Sequence, residues 1–165
     1  MNRCLWASGS DELMRDYHDN EFGRRKNSDV TLFEKLCLEC FQAGLSWRTV
    51  LHKREAFRRA FHGFDPGQVA VMTPDDVETL MKDSSIIRNR LKIEAAIHNA
   101  RLHLIQFPEE GSFAAYVYSF TDGTALCRDF KKRGYRFLGP TICESFLGSV
   151  GAIEGHEPGC DLYKG

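Results

Sequence analysis

Four residues close to the two ends of the chain are of types that bind metal ions. Cys4 and His18 lie near one end, and His156 and Cys160 lie near the other, separated by three residues. That second spacing suits two ligands that converge on one ion from a single turn of chain. Two thiolates with two imidazoles are typical of tetrahedral zinc, and an ion bound by all four would tie the N-terminus to the C-terminus. The alternative is ordinary side chains at frayed ends, because an isolated Cys or His is more often a packing or surface residue.

The remaining cysteines give no comparable signal. Cys37 and Cys40 form a C-x-x-C, a spacing that elsewhere marks redox or zinc sites. Both fall on the apolar stripe of one helix and lack a partner pair, so we predict core residues. Cys127 and Cys143 belong to no recognisable motif. Six cysteines without a leader indicate free thiols or metal ligands more readily than a disulfide framework.

A second group of residues combines aromatic rings with a carboxylate. Tyr17 and Phe22 lie in one short stretch, and Glu39 and Trp47 lie in another. Glu39 has apolar neighbours, where a carboxylate must find donors or a positive partner to remain charged. These residues are candidates for a ligand pocket. The alternatives are a core Trp47, a half-exposed helical Glu39 and a Tyr17 that packs across a short N-terminal helix.

Basic residues surround a turn rich in glycine and proline. Backbone N–H groups at a helix start can hold a phosphate, and nearby cations strengthen that contact. The candidate DNA-binding residues are Lys131, Lys132, Arg133, Arg136, Gly139 and Thr141. Alternatively, basic residues before Gly134 are ordinary compensation of a helix dipole.

The elements that must position these residues are predicted to be helices. Apolar spacing, capping residues and glycine stops indicate helices over residues 28–44, 46–61, 91–107, 124–133 and 140–151, with a shorter one over residues 112–120. Asp65-Pro66 and Thr73-Pro74 each place a capping side chain before a proline at the first helical position, which predicts two more helices. The stripe of the 91–107 helix is Ile93, Ile97, Ala100 and Leu104. Alternating β-type patterns are scarce, so we predict an all-α single domain over residues 1–165.

Composition narrows the class of protein. The chain of 165 residues is 42% apolar and 27% charged, as in soluble globular proteins. Its formal net charge of −1 argues against coating nucleic acid by bulk electrostatics, so any DNA contact must come from local patches. No apolar run approaches the ~20 residues that span a bilayer, and no leader is evident. We expect no membrane contact, a monomer, and a cytoplasmic location, or a nuclear one if the source is eukaryotic.

Several stretches resemble the 3-methyladenine DNA glycosylase I family. Residues 17–23 (YHDNEFG) and 38–47 (LECFQAGLSW) look like that family's base-pocket motifs, and residues 86–93, 131–134 and 139–143 match it further. The resemblance covers nearly the whole chain. It implies a helix-hairpin-helix DNA glycosylase-like fold in which residues 135–151 form the DNA-holding element. It also implies one structural zinc ion on Cys4, His18, His156 and Cys160.

The resemblance implies a DNA repair activity as well. The enzyme would flip 3-methyladenine out of alkylated double-stranded DNA, hydrolyse its N-glycosidic bond and release the free base. Tyr17, Phe22, Glu39 and Trp47 would bind the base, and Glu39 is the candidate catalytic residue, acting first in recognition, with no general base assigned. N3-methylation leaves adenine cationic, and each electron-rich ring of the pocket would attract this cation by ~0.5–2 kcal/mol.

Two departures from the family pattern bear on activity. Phe22 stands where the family usually has tryptophan, and the segment between Phe120 and Lys131 is shorter, with Cys127-Arg128 in place of Ser-Lys. They leave open a non-catalytic reader of alkylated bases. A zinc hydrolase is a further alternative, but it needs an open coordination position that four protein ligands would not leave.

Overall fold

The computed structural model describes residues 1–165 and confirms an all-α fold. Its helices are α1 Glu12–Asn20, α2 Asp29–Gln42, α3 Trp47–His52, α4 Arg54–Ala60, α5 Pro66–Ala70, α6 Pro74–Met81, α7 Arg90–Gln106, α8 Ser112–Val117, α9 Gly123–Arg133 and α10 Pro140–Ser149. Two short 3₁₀ turns lie at Leu5–Ala7 and His62–Phe64. None of these helices has the length and apolar character needed to cross a membrane.

The predicted helix starts are confirmed by their hydrogen bonds. Ser28 and Ser46 accept from the backbone N–H groups three residues ahead, at 3.3 and 3.2 Å. Thr73 and Asp76 form a complete capping box. Each such cap stabilises a helix end by about 1 kcal/mol. At the other end of α2, Gly44 adopts a positive φ of 81°, as a left-handed stop requires.

Two details of the predicted helices are wrong. The predicted 46–61 helix is two helices, because at Lys53 the N–H bonds back to the carbonyl of Val50 and tightens the turn. Leu104 is 43% exposed, whereas His103 is buried. His103 packs its ring against Phe113 at 4.8 Å, which rotates the buried face of α7 away from Leu104.

Helix α2 is shared by two hydrophobic cores. Phe33, Leu38 and Phe41 belong to a core with α3 to α7, and Leu32 and Leu36 belong to another with α8 to α10. Cys37 and Cys40 are also buried, one in each core, as predicted for core residues. The helix therefore holds the two halves of the molecule together.

A third face of α2 carries polar residues towards the junction of the two cores. Lys35, Glu39 and Gln42 follow one another at intervals of four and three residues, so they lie on one side of the helix. Helices α1, α3 and α10 meet in front of this face, where they enclose a cleft.

The C-terminal segment returns to this junction through a close backbone contact. A Cβ atom added at Gly155 would lie 2.6 Å from the carbonyl oxygen of Gly148, so only glycine fits at this position. The Gly23 N–H donates to the Ser149 carbonyl at 2.9 Å, so the end of α1 is fastened there too. Both chain ends are thereby brought next to the cleft.

Candidate functional site

The cleft at the junction has a volume of about 670 Å³ and contains every predicted pocket residue. Tyr17, Phe22, Glu39 and Trp47 all line it, from α1, the turn after α1, α2 and α3 respectively. Trp6 also lines it and was not predicted. The only signal for Trp6 in the sequence was its position two residues after a candidate metal ligand.

The aromatic side chains form one contiguous wall. The ring centroids of Trp6 and Phe22 are 4.9 Å apart at 74°, and those of Tyr17 and Trp47 are 5.2 Å apart at 42°. Such edge and tilted contacts hold the rings in place and leave π faces for a flat ligand. Trp47 also packs against the core, and its indole Nε1–H is buried without a hydrogen-bond partner in the protein.

Glu39 is buried at the base of this wall and is paired with a lysine that the sequence analysis missed. Glu39 is 6% exposed, and its Oε1 lies 3.3 Å from Lys35 Nζ. Lys35 also donates to the Tyr17 hydroxyl. Burial lowers the pKa of Lys35 to about 8 despite the attraction of Glu39, and burial raises the pKa of Tyr17 well above its usual value.

Three further charged residues line the cleft and were also not predicted. Glu144 accepts from the Gly123 N–H at 2.5 Å, and Glu154 accepts from the His156 N–H at 2.7 Å. Arg48 Nε donates to Asp11 Oδ2 at 2.5 Å. These residues lie on α10, after α10 and on α3, so only the tertiary fold brings them to one opening.

The four predicted metal ligands converge beside the cleft. Cys4 Sγ lies 3.5 Å from His156 Nδ1, and Cys160 Sγ lies 3.4 Å from His18 Nε2 and 3.7 Å from His156 Nδ1. All four ligand atoms lie within 4.8 Å of one another. A tetrahedral zinc ion places its sulfur and nitrogen ligands about 3.4–3.8 Å apart, so the donor set and most of its spacing fit zinc.

The surroundings of the cluster also suit a metal ion. Asp19 Oδ1 lies 2.9 Å from His18 Nδ1, which orients the imidazole so that Nε2 faces the cysteines. Arg3 holds Asp19 through its guanidinium at 2.8 Å. Burial raises the pKa of the Cys4 thiol, and the N–H of Glu157, which donates to Cys4 Sγ at 3.2 Å, offsets part of that rise.

The candidate DNA-binding residues surround the turn between α9 and α10. Lys131, Lys132, Arg136 and Thr141 are exposed, and Gly139 precedes the first residue of α10. Arg133 differs from the others, because its Nε binds Asp129 at 2.7 Å and its guanidinium lies 4.6 Å from the Tyr116 ring.

This turn is fixed to the body of the molecule. The Arg136 N–H donates to the Asn99 side chain at 2.9 Å, and Asn99 donates back to the Arg136 carbonyl at 3.1 Å. The basic side chains are therefore presented by a rigid backbone.

Comparisons with known proteins identify relatives of this chain. The Methyladenine glycosylase family model matches residues 6–164. The chain is 44% identical to DNA-3-methyladenine glycosylase 1 of Escherichia coli (strain K12), covering 100% of this chain and 98% of the relative. It is 39% identical to DNA-3-methyladenine glycosylase of Haemophilus influenzae, covering 96% of each.

A solved structure matches as well, with a TM-score of 0.90 and 32% identity over 100% of this chain and 99% of the other. It is a variant of 3-methyladenine DNA glycosylase I in complex with 3-methyladenine. The alignment to the Escherichia coli relative extends over 186 positions, more than the 165 residues of this chain, so the relative has additional residues within the matched range.

Proposed function

The chain belongs to the methyladenine glycosylase family, and from this premise we propose that its cleft receives 3-methyladenine flipped out of alkylated DNA. Its activity is that of a DNA-3-methyladenine glycosylase, which hydrolyses the bond between the damaged base and its deoxyribose. The observation that carries the proposal is the cleft itself, in which four aromatic residues and one buried carboxylate converge.

The residues of the cleft suit the chemistry of this leaving group. The base departs with the electron pair of the N-glycosidic bond, which neutralises its positive charge, so a strong general acid is unnecessary. Water then adds to C1′ and loses a proton to solvent, leaving an abasic site and free 3-methyladenine. The protein contributes by holding the extruded base and stabilising positive charge as it moves from base to sugar.

Each polar group has a defined part in that binding. Glu39 accepts from the exocyclic amine of the base with the oxygen that Lys35 leaves free. The Tyr17 hydroxyl accepts from Lys35, so its own O–H remains available to donate to a ring nitrogen. The unpartnered Nε1–H of Trp47 is a second available donor.

The terminal cluster holds a structural zinc ion in this proposal. Cys4, His18, His156 and Cys160 supply two thiolates and two imidazoles at tetrahedral spacing. A fully occupied coordination sphere has no position for water, so the ion fastens the chain ends and takes no part in hydrolysis. This disfavours a zinc hydrolase.

The α9–α10 turn serves as the hairpin of a helix-hairpin-helix element. Exposed Lys131, Lys132 and Arg136 contact DNA phosphates, together with the backbone around Gly139 and Thr141. Because both cores share α2, we propose that residues 1–165 act as one glycosylase domain.

The test is release of base from methylated DNA. Glu39→Gln keeps the side-chain shape but removes the charge, and we expect excision to slow by ~1–3 kcal/mol in apparent barrier, about five- to 150-fold. Glu94→Gln, an exposed glutamate of α7 outside the cleft, is the matched control. If both variants excise the base at the wild-type rate, the base does not bind beside Glu39.

A further inference from the structure

The cleft already has a cation built into its base. Lys35 Nζ lies 3.3 Å from the centre of the Trp47 ring and 4.7 Å from that of the Tyr17 ring. It also lies 3.3 Å from Glu39 Oε1. These are the same types of contact that a positively charged base would make with this site.

Lys35 makes these contacts from beneath the cleft. Its residue is 8% exposed and does not belong to the lining, whereas Glu39 and both rings do. The ammonium therefore leaves the cavity open to a ligand. It takes up one oxygen of Glu39 and one face of Trp47, and it offsets the negative charge at the base of the cleft.

We infer that Lys35 is a specificity-determining residue that reduces the preference of the cleft for a cationic over a neutral purine. The inference rests on the proposed function of the cleft as the base site. A cationic base experiences attraction to Glu39 and repulsion from the ammonium next to it, whereas a neutral base experiences neither. The cleft thus selects an alkylated purine through its shape and hydrogen bonds, with little contribution from its charge.

The charged and titratable groups around Lys35 set the direction of a pH effect. Glu39 lies on the same helix, and Tyr17 lies on α1. Glu21 and Arg54 form a second ion pair nearby, in which Arg54 Nη1 lies 2.7 Å from Glu21 Oε2. The pKa of Lys35 is lowered to about 8 by burial, while that of Tyr17 is raised, so Tyr17 stays neutral in this range. At a pH below the pKa of Lys35, the charged ammonium repels a cationic ligand. At a pH above it, the amine is neutral and this repulsion is absent.

The experiment uses calorimetry to compare two ligands that differ in charge and in one methyl group, and the change of their affinity ratio between variants isolates the effect of the charge. Alkylation of adenine at both N3 and N9 gives 3,9-dimethyladeninium with a fixed positive charge, and 9-methyladenine is its neutral counterpart. The measured quantity is the ratio of their affinities for wild-type protein, for Lys35→Met and for the control Lys82→Met, which replaces an exposed lysine just after α6. We expect Lys35→Met to raise the preference for the cation about tenfold and Lys82→Met to leave it unchanged.

The pH profile supplies a readout that a purely structural role would not change. In wild-type protein the preference for the cation should rise between about pH 6.5 and about pH 9, and in Lys35→Met it should be flat. If Lys35→Met does not fold, the wild-type profile alone decides, because a flat wild-type ratio overturns the inference. The inference is also overturned if the affinity ratio of the two ligands is independent of pH and is the same in a folded Lys35→Met as in wild-type protein. The proposed base site stands in that case. If wild-type protein binds neither ligand, the proposed base site fails, and the inference fails with it.

Discussion

Glu39 combines two properties that conflict in most proteins, since it is almost fully buried and must accept hydrogen bonds as a carboxylate. An unpaired charge at such a position would cost several kcal/mol. Lys35 offsets that cost from one side, at 3.3 Å, and in the proposed base site the exocyclic amine of a bound base would offset it from the other. Removal of either charge therefore changes both the stability of α2 and the binding of a ligand.

Trp47 has a double role that substitution can separate. Its ring packs on the core and also lines the cleft. We expect Trp47→Ala to weaken binding of free 3-methyladenine by ~1–3 kcal/mol and to lower the melting temperature, because stacking and packing are lost together. Trp47→Phe should restore most of the melting temperature and part of the affinity. Titration and a melting curve measure the two effects, and an unchanged affinity in Trp47→Ala would leave Trp47 a core residue only.

Helix α2 illustrates how far the sequence predicts the fold. The spacing of Phe33, Leu36 and Phe41 predicted the helix, and Ser28 predicted its first residue. The same spacing does not reveal that these side chains enter two separate cores, because periodicity reports burial and not the partner. Tertiary contacts decide that partner.

The polar face of α2 explains why Lys35 was missed while Glu39 was found. A lysine four residues before a glutamate usually marks an exposed helical ion pair. Here α1 and α3 cover that pair with Tyr17 and Trp47. The motif around Glu39 pointed to it in advance, but only the packing of three helices shows that its partner is buried.

The α9–α10 turn carries a prediction about DNA. Lys131 and Lys132 are exposed beside the start of α10, so we expect each to neutralise a phosphate. Replacing both with alanine should weaken binding to duplex DNA and reduce the slope of log affinity against log salt by about one unit per lost contact. The measurement is a fluorescence anisotropy titration at several salt concentrations.

Control variants locate the effect on the turn. Lys82→Ala, just after α6, removes an exposed charge distant in sequence from the turn and should leave the slope unchanged. Arg133→Ala should mainly lower stability, because its guanidinium is bound to Asp129 and packs on Tyr116. An unaltered slope in the double lysine variant would move the DNA surface to another face.

At the scale of the whole molecule, the short segment after α8 does not leave α8 detached from α10. The Tyr118 hydroxyl, just after α8, accepts from the Lys26 N–H at 2.6 Å and donates to the Val150 carbonyl at 2.8 Å. Asp122 then caps α9 directly by accepting from the Ala125 N–H at 2.8 Å. The chain thus keeps α8 attached to α10 without a long connection.

Both chain ends lie next to the cleft, because the residues of the terminal cluster come from both of them. Cys4 holds the segment that carries Trp6, and His18 is one residue from Tyr17. His156 packs its ring against Phe22 at 5.0 Å. A metal ion bound by the cluster would therefore support one whole wall of the base site without touching the base.

Metal removal should for this reason reduce stability and base binding together. We expect about one equivalent of zinc in purified protein, and we expect Cys4→Ser to lower zinc content, melting temperature and affinity for 3-methyladenine, since one lost ligand opens the coordination sphere.

The control is Cys37→Ser, which replaces a buried cysteine outside the cluster. It should lower the melting temperature through core packing alone, and the protein should keep its zinc. Zinc well below one equivalent, with no change in stability in Cys4→Ser, would contradict a structural zinc ion at the cluster. If instead zinc is lost but base affinity is retained, the wall formed by Trp6 and Phe22 is supported by its ring contacts, at 4.9 Å, and not by the metal.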